Sequence, residues 1–388
     1  MAGKEKPYKV YRGGRASGPI RPPADRAEGR PLRDGRDGRA AEATPPRRRR
    51  WRRVALLLIV GLIVAALVWA LLGYLAVRRG VQAANARLDD RAERALAPSG
   101  SILSFPSNIL VLGADVGGRR DRPGAGRADS IMLIRTDPDE HRVAYLAIPR
   151  DLRVEIPGHG ADKINTAYAL GGPALAIRTV QDLTGLELNH VVVVDFATFK
   201  DVVDAIGGIT IANPTPIVSN KFDCPYPPER CARWQGWRFP KGELKLDGRL
   251  ALVYARIRQN QLAPGESDIT RGERQQRVIQ AIADKVVSPS GFLRMPLVGD
   301  DLIKPLATDL TTGELFQLAW VRWRAADDKT LRCRLGGDIA SVGGAAVIQQ
   351  SSEDNALVIA QITGRSAPQR PPPGQPFAPG CFVGRAGR

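Results

Sequence analysis

Arginine and aspartate recur where apolar segments end. "GADVGGRR" brings Asp115, then Arg119 and Arg120, after one apolar run, and "GRADS" sets Arg127 and Asp129 before the next. "IPRD" closes a third run with Arg150 and Asp151, and "ADKIN" opens a helical stretch with Lys163 and Asn165. "YARIR" supplies Arg256 and Arg258, and "RGERQQ" supplies Arg271, Arg274 and Gln275. Taken singly, each is an ordinary solvated loop charge. Repetition of one sign at element ends is more specific, because the planar guanidinium fork matches phosphate oxygens and a set of them suits a polyanion. Aspartates beside such a ligand would repel it unless a hard divalent cation bridges the two. The chemistry this implies is metal-assisted phosphoryl transfer. Spacing leaves the arginine pair open: an extended "YARIR" would put Arg256 and Arg258 on one face, whereas a helix would separate them. The sequence contains no G-x-x-x-x-G-K-[ST], G-x-S-x-G or H-E-x-x-H motif, which removes the usual nucleotide, serine-hydrolase and zincin readings.

Positioning these residues needs a scaffold of strand ends. "NILVLG", "SIMLIRT", "RVAYLAI" and "HVVVVDF" are short, nearly continuous apolar runs, the pattern of strands covered on both faces. "DPDEH" between the second and third has turn chemistry and predicts a hairpin. "INTAYALGGPALAIRTVQDLTG" predicts two helical pieces broken at Gly171-Gly172, and "ATFKDVVDAIGG" an amphipathic helix with a glycine stop before the strand "GITIAN". "LDGRLALVYARIR", "DITRGERQQRVIQAIADKVV" and "TTGELFQLAWVRWRA" carry helical patterning. The expected fold class is α/β: one large α/β/α domain with a mixed central sheet over residues 106–365, preceded by one transmembrane helix. Residues 213–242, rich in Pro, Trp and Arg, read as a surface insertion, and residues 366–388 as a Pro-rich tail.

The chain has 388 residues and a formal net charge of +17. Residues 1–53 hold 17 Lys/Arg against 6 Asp/Glu, so +11 of that charge sits in an arm with almost no large aliphatic residues. Such an arm cannot bury enough apolar surface to fold, and disorder is expected. Val54–Val77 follows with no charge in 24 positions, long enough to cross a bilayer core of about 30 Å. "RRRRWRR" just before it predicts an N-terminus in the cytoplasm and a type II protein whose catalytic domain is extracytoplasmic, with residues 78–105 as a helical stalk. The basic arm suits anionic membrane lipid; without aromatic interleaving it offers no specific nucleic-acid site.

All four cysteines lie beyond the span, and nearest-neighbour pairing gives Cys224–Cys231 and Cys333–Cys381. Zinc is the rival reading, but there is no second C-x2-C element and the three histidines are scattered.

The blocks "RAD", "AIPRD", "KIN", "DAIGGI", "YARIR" and "RGERQQ", in that order between about Asn108 and Lys285, resemble the LytR-CpsA-Psr family of cell-wall glycopolymer ligases. The resemblance implies transfer of a phosphoglycosyl polymer from a polyprenyl-pyrophosphate-linked glycan to a peptidoglycan sugar hydroxyl, releasing polyprenyl phosphate. It implies that Asp115 and Asp129 hold Mg²⁺ (or Mn²⁺), that Arg127, Arg150, Arg256, Arg258 and Arg271 grip the pyrophosphate, and that Gln275 and Lys163 assist. The helix over residues 197–206 would shelter the prenyl chain. A pyrophosphatase would use the same residues, and a membrane-bound transcriptional attenuator would instead use the basic arm.

Overall fold

The computed structural model describes residues 47–114, 126–263, 268–373, 375 and 377–384. Asp115, Arg119 and Arg120 therefore lie outside the described residues, as does nearly all of the basic arm.

The four apolar runs are strands of one mixed sheet. They are β1 (Ser107–Ala114), β2 (Ala128–Asp137), β3 (Arg142–Ile148) and β6 (His190–Asp195), joined by β11 (Ala307–Thr308), β12 (Thr330–Arg334) and β15 (Gly380–Val383) in the order β11-β6-β1-β2-β3-β12-β15. β1, β2 and β3 form an antiparallel meander, while β6 runs parallel to β1 and β12 parallel to β3. Three smaller sheets flank it. The first contains β4 (Leu152–Ile156), β5 (Gly160–Lys163), β13 (Gly337–Val342) and β14 (Ala345–Gln350); β7 (Ile209–Asn213) pairs with β10 (Gly242–Leu246), and β8 (Ile217–Val218) with β9 (Arg238–Phe239).

Period-two alternation decides what covers each face. Ile131, Leu133, Ala144 and Leu146 join one core with α3 (Ile164–Thr184) and α10 (Ser352–Ile362). Met132, Val143 and Tyr145, on the intervening positions, join another with α9 (Thr312–Arg324). The sheet is thus covered on both faces, as a domain of α/β/α layers requires. Within α3 the helix breaks at Gly171 and Gly172, the latter at φ 62°, where the sequence places two glycines before Pro173.

A third core lies beside the sheet. It gathers α4 (Phe196–Ala205), α6 (Gly248–Arg256), α7 (Asp268–Val286), α8 (Pro289–Ile303) and the C-terminal end of α1 (Arg47–Asn85). α1 contains one long apolar stretch, of mean hydropathy 3.0, able to cross a membrane. Residues 78–105 are not a free stalk: Val81 and Ala84 join the core beside the sheet, Leu88 and Ala92 of the segment carrying α2 (Asp90–Glu93) join the core with α3 and α10, and Ile102 joins the core with α9 on the opposite face of the sheet. Small alanines do much of this packing, which is why the segment reads as surface helix in sequence.

Both disulfides form as paired in the sequence. Cys224–Cys231 clips the loop into α5 (Pro228–Arg233), and Cys333–Cys381 links directly opposed residues of β12 and β15. Replacing both Cys333 and Cys381 by alanine is expected to lower stability by about 4 kcal/mol from chain entropy, and the Cys224/Cys231 pair by only about 2–3 kcal/mol. Urea unfolding of the two double variants measures the difference.

Candidate functional site

The two arginines of "YARIR" reach one cavity because the helix ends between them. Asp247 caps α6, accepting from the Leu250 amide at 2.7 Å, and Asp204 accepts from the Gly248 amide at 2.7 Å. Arg256 is the last helical residue; Ile257 turns extended (φ −60°, ψ 124°) and is fully buried. Arg274, 3% exposed on α7, donates to the Ile257 carbonyl at 2.7 Å and holds that turn. Arg256 and Arg258 consequently line the same cavity, of about 430 Å³, with Asp129, Arg271 and Gln275. Arg271 and Gln275 are one helical turn apart on α7 and so share a face.

Phe196, Phe222, Asn220, Lys221 and Gln259 complete that wall. Arg256 lies 5.5 Å from the Phe196 ring centre and 5.8 Å from that of Phe222, and it pairs with Asp223. Asp223 has φ 46°, a left-handed conformation that aspartate tolerates better than most residues, and is followed directly by the disulfide-bonded Cys224. The 213–242 segment, expected as a surface insertion, therefore contributes Phe222 and Asp223 to the site. Its lack of periodicity gave no sign of this.

On the sheet side Arg150 occupies the turn from β3 to β4 and donates to Asp129 Oδ1 at 2.5 Å. Its Nε lies 3.4 Å from Asp151 Oδ2, and Lys163 Nζ donates to Asp151 Oδ1 at 2.9 Å. Lys163 thus fastens β5 to the Arg150 turn and acts as a positioning residue for the arginine. Burial alone would raise the Asp151 pKa; the Lys163 hydrogen bond and the charges of Arg150, Lys163 and Arg271 outweigh it and leave the carboxyl below its ordinary 3.8. Because the folded value is depressed, the stabilisation is complete above pH 3.8 and is lost as pH falls through the folded value. Asp151→Asn is expected to cost about 1.5–3 kcal/mol at pH 7, the usual worth of hydrogen bonds to charged groups. It is also expected to flatten the stability profile below pH 4, which thermal unfolding between pH 2 and 7 would show.

Behind this lies a smaller cavity of about 30 Å³, bounded by Asp129, Arg150 and Arg271 and by Glu273, Arg332 and Arg334. Glu273 accepts from Arg334 at 3.3 Å and Arg277 at 3.5 Å. Burial pushes the Arg332 and Arg334 pKa values down, with Glu273 opposing that shift. Arg127, one residue before β2, is exposed. For a divalent cation the described donors supply Asp129 at the cavity wall, and no cluster of three acidic, His or Cys ligands occurs among the described residues. A hard cation that takes oxygens from phosphate and water needs only one or two carboxylates, so Asp129 fits such a role.

A second cavity, of about 240 Å³, adjoins the charged one and is almost wholly apolar. Val111, Val192 and Val194 of the sheet, Phe199 and Val202 of α4, Leu252 and Ala255 of α6, and Val278, Ile279 and Ile282 of α7 line it. Phe196, Arg256 and Gln275 belong to both walls, and the Ser130 hydroxyl, at the apolar cavity's edge, donates to Gln275 Oε1 at 2.9 Å. Phe199 and Val202 of the helix expected to shelter the prenyl chain thus border an apolar cavity.

The sequence profile of the LytR_cpsA_psr family matches residues 75–356. The chain belongs to that family. A polyisoprenyl-teichoic acid–peptidoglycan teichoic acid transferase TagU of Oceanobacillus iheyensis is 30% identical over 269 residues, 68% of this chain and 77% of that protein. Among solved structures, B. subtilis TagV superposes with a TM-score of 0.57 at 26% identity, over 67% of this chain and 97% of TagV. A TagT structure described as bound to LIIa-WTA gives 0.53 at 26% identity, over 70% of this chain and 94% of TagT. The LytR_cpsA_psr fold is therefore the fold of this chain, and with transferases as its named relatives the chain is an enzyme of that class.

Proposed function

We propose that this LytR_cpsA_psr protein transfers a phosphoglycosyl polymer from a polyprenyl-pyrophosphate carrier to a peptidoglycan sugar hydroxyl, releasing polyprenyl phosphate. The observation that carries the reading is the shared wall: a cationic cavity and an apolar one meet at Phe196, Arg256 and Gln275. One ligand with a diphosphate head and a hydrocarbon tail fits both. The names of the relatives, which pair a polyisoprenyl donor with a peptidoglycan acceptor, support it.

In this reading the prenyl chain lies among α4, α6 and α7, and the diphosphate meets Arg256, Arg258 and Arg271. The acceptor hydroxyl oxygen bonds to the glycan-bearing phosphorus as the phosphoanhydride bond breaks, its proton passes to solvent, and the leaving lipid phosphate takes up negative charge that the arginines neutralise. Arg150 fixes the Asp129 carboxylate, and Lys163 fixes Arg150 through Asp151. Asp129, together with Asp115 outside the described residues, would hold Mg²⁺, whose charge would help to neutralise the diphosphate. The apolar stretch of α1 anchors the protein, and the basic residues ahead of it favour a cytoplasmic N-terminus with the catalytic region outside.

The test measures lipid-phosphate release by the full chain in detergent, with and without peptidoglycan fragments and with Mg²⁺ or EDTA. Release that requires both acceptor and metal is expected. Equal release without acceptor would make the protein a pyrophosphatase, and equal release in EDTA would remove the metal from the account.

A further inference from the structure

α1 does not leave the membrane and then meet the domain; it meets α8 while still apolar. Gly73 lies inside the uncharged run that ends at Val77, and a Cβ placed on it would sit 3.5 Å from the Pro296 ring. Higher on the same helix, a Cβ on Gly80 would meet the Asp300 carbonyl at 3.0 Å, and one on Gly299 would meet Val77 at 3.0 Å. Glycines thus let α1 and α8 approach closely along more than one turn. The next residue, Tyr74, stacks on Phe316 of α9 with ring centres 6.2 Å apart.

These contacts fix depth. Arg78 and Arg79, both exposed, mark the first charges after the span. At 1.5 Å per residue Gly73 and Tyr74 lie about 6–7.5 Å deeper than Arg78. Pro296 and Phe316 are carried to the same level, where amphipathic helices embed about 5–10 Å into the headgroup–acyl boundary. α8 and α9 expose six large apolar side chains, Phe292, Leu293 and Leu297, then Phe316, Trp320 and Trp323, each between 41% and 73% exposed, with the cationic Arg294 and Arg324 exposed beside them. Phe316, Trp320 and Trp323 share one helical face by their spacing of four and three. Two neighbouring helices with six large apolar side chains open to water exceed the scatter normal on a soluble surface, and aromatic residues at this depth match an interfacial belt.

We propose that α8 and the outer face of α9 form a second, monotopic membrane contact, embedding in the bilayer leaflet from which α1 emerges. The occupant of this surface is lipid. The packing of α8 on Gly73 and Val77 and of Phe316 on Tyr74 joins this surface to the end of the α1 span, so the domain is docked on the membrane plane rather than held above it by a tether. The inference rests on α1 crossing the bilayer and not on the reaction at the cationic cavity.

Both disulfides consume all four cysteines, so single cysteines introduced into the full chain can carry a nitroxide label. Labels would replace Leu67 in the span, Leu293, Leu297 and Trp320 on the proposed surface, and Asp162 on the exposed end of β5. In phosphatidylglycerol-containing liposomes, power-saturation EPR compares collisions with oxygen and with a water-soluble nickel chelate. Labels at 67, 293, 297 and 320 are expected to favour oxygen, and the label at 162 to favour nickel. Leu293→Asp combined with Phe292→Asp should return the 297 label to water. An oxygen-rich 67 label with nickel-accessible 293, 297 and 320 labels would overturn the docking surface while leaving the span intact. A nickel-accessible 67 label would instead remove the span on which the inference rests. Spin–spin broadening at 297 without oxygen preference would place a second copy of the chain on this face and also overturn it.

Discussion

Arg256→Ala is expected to reduce transfer by at least 10²-fold with the fold intact. Loss of one preorganised donor to developing charge typically costs about 10²–10³ in kcat. Arg256 is half-buried at the end of α6, where its guanidinium lies near two aromatic rings and, among the described residues, pairs with the more exposed Asp223. The salt bridge it loses is a surface one, worth about 0–1 kcal/mol, so the unfolding midpoint should hardly move. Arg256→Lys should recover only part of the rate, since an ammonium cannot present a planar fork. Arg274→Ala offers the contrast: its guanidinium is buried on the Ile257 carbonyl. That change should lower stability and rate together by releasing the turn that aims Arg256 and Arg258. Transfer rates and urea midpoints for the three variants separate a charge effect from a positioning effect.

The second large effect concerns the apolar cavity. Val194 is only half-buried and faces that space from β6. Val194→Trp would fill much of the roughly 240 Å³ from the β6 side, leaving Arg258 and Arg271, which line the charged cavity and not this one, in place. Each five-carbon prenyl unit denied burial forfeits up to about 4 kcal/mol at ~0.8 kcal/mol per methylene-sized group. Such a loss corresponds to roughly 10³-fold in affinity. The variant should therefore lose most of its activity on a long-chain carrier, chiefly through KM, while a carrier with one or two prenyl units is used almost as by the wild type. Equal impairment on short and long carriers would show a damaged phosphate site instead of a blocked tail.

Much of the scaffold was legible because it obeys period. The four apolar runs became strands of the central sheet, and the Gly171-Gly172 break and the cysteine pairings appear where the sequence puts them. α8 was not legible: Gly291, Pro296 and Gly299 argue against a helix interior, and close packing on α1, with the Ser288 cap and Pro289 at the first helical position, overrides them. The segment at 78–105 misled for the opposite reason, since Ala84 and Ala92 look like surface helix formers until neighbours bury them. At the site, side-chain type and position at element ends singled out Asp129, Arg256, Arg258, Arg271 and Gln275, which line one cavity, but also Arg127, which is exposed outside it. Lys163 was legible as a charge but not as the residue that fastens Asp151, because that contact joins β5 to a turn after β3. Asp223 and Phe222 carried no pattern; their approach to Arg256 depends on the path of a disulfide-clipped loop.

The central claim is that the cationic and apolar cavities hold the two ends of one molecule. Photo-crosslinking tests this directly, using a prenyl pyrophosphate with a diazirine at the far end of its chain and peptide mapping of the labelled full-length protein. Adducts are expected on Phe199, Val202, Val278, Ile279 or Ile282, competed away by unlabelled carrier and weakened by Arg256→Ala. Specific adducts confined elsewhere, for instance to the groove between α3 and α10, would contradict the claim, as would labelling of the apolar cavity that is indifferent to the pyrophosphate group.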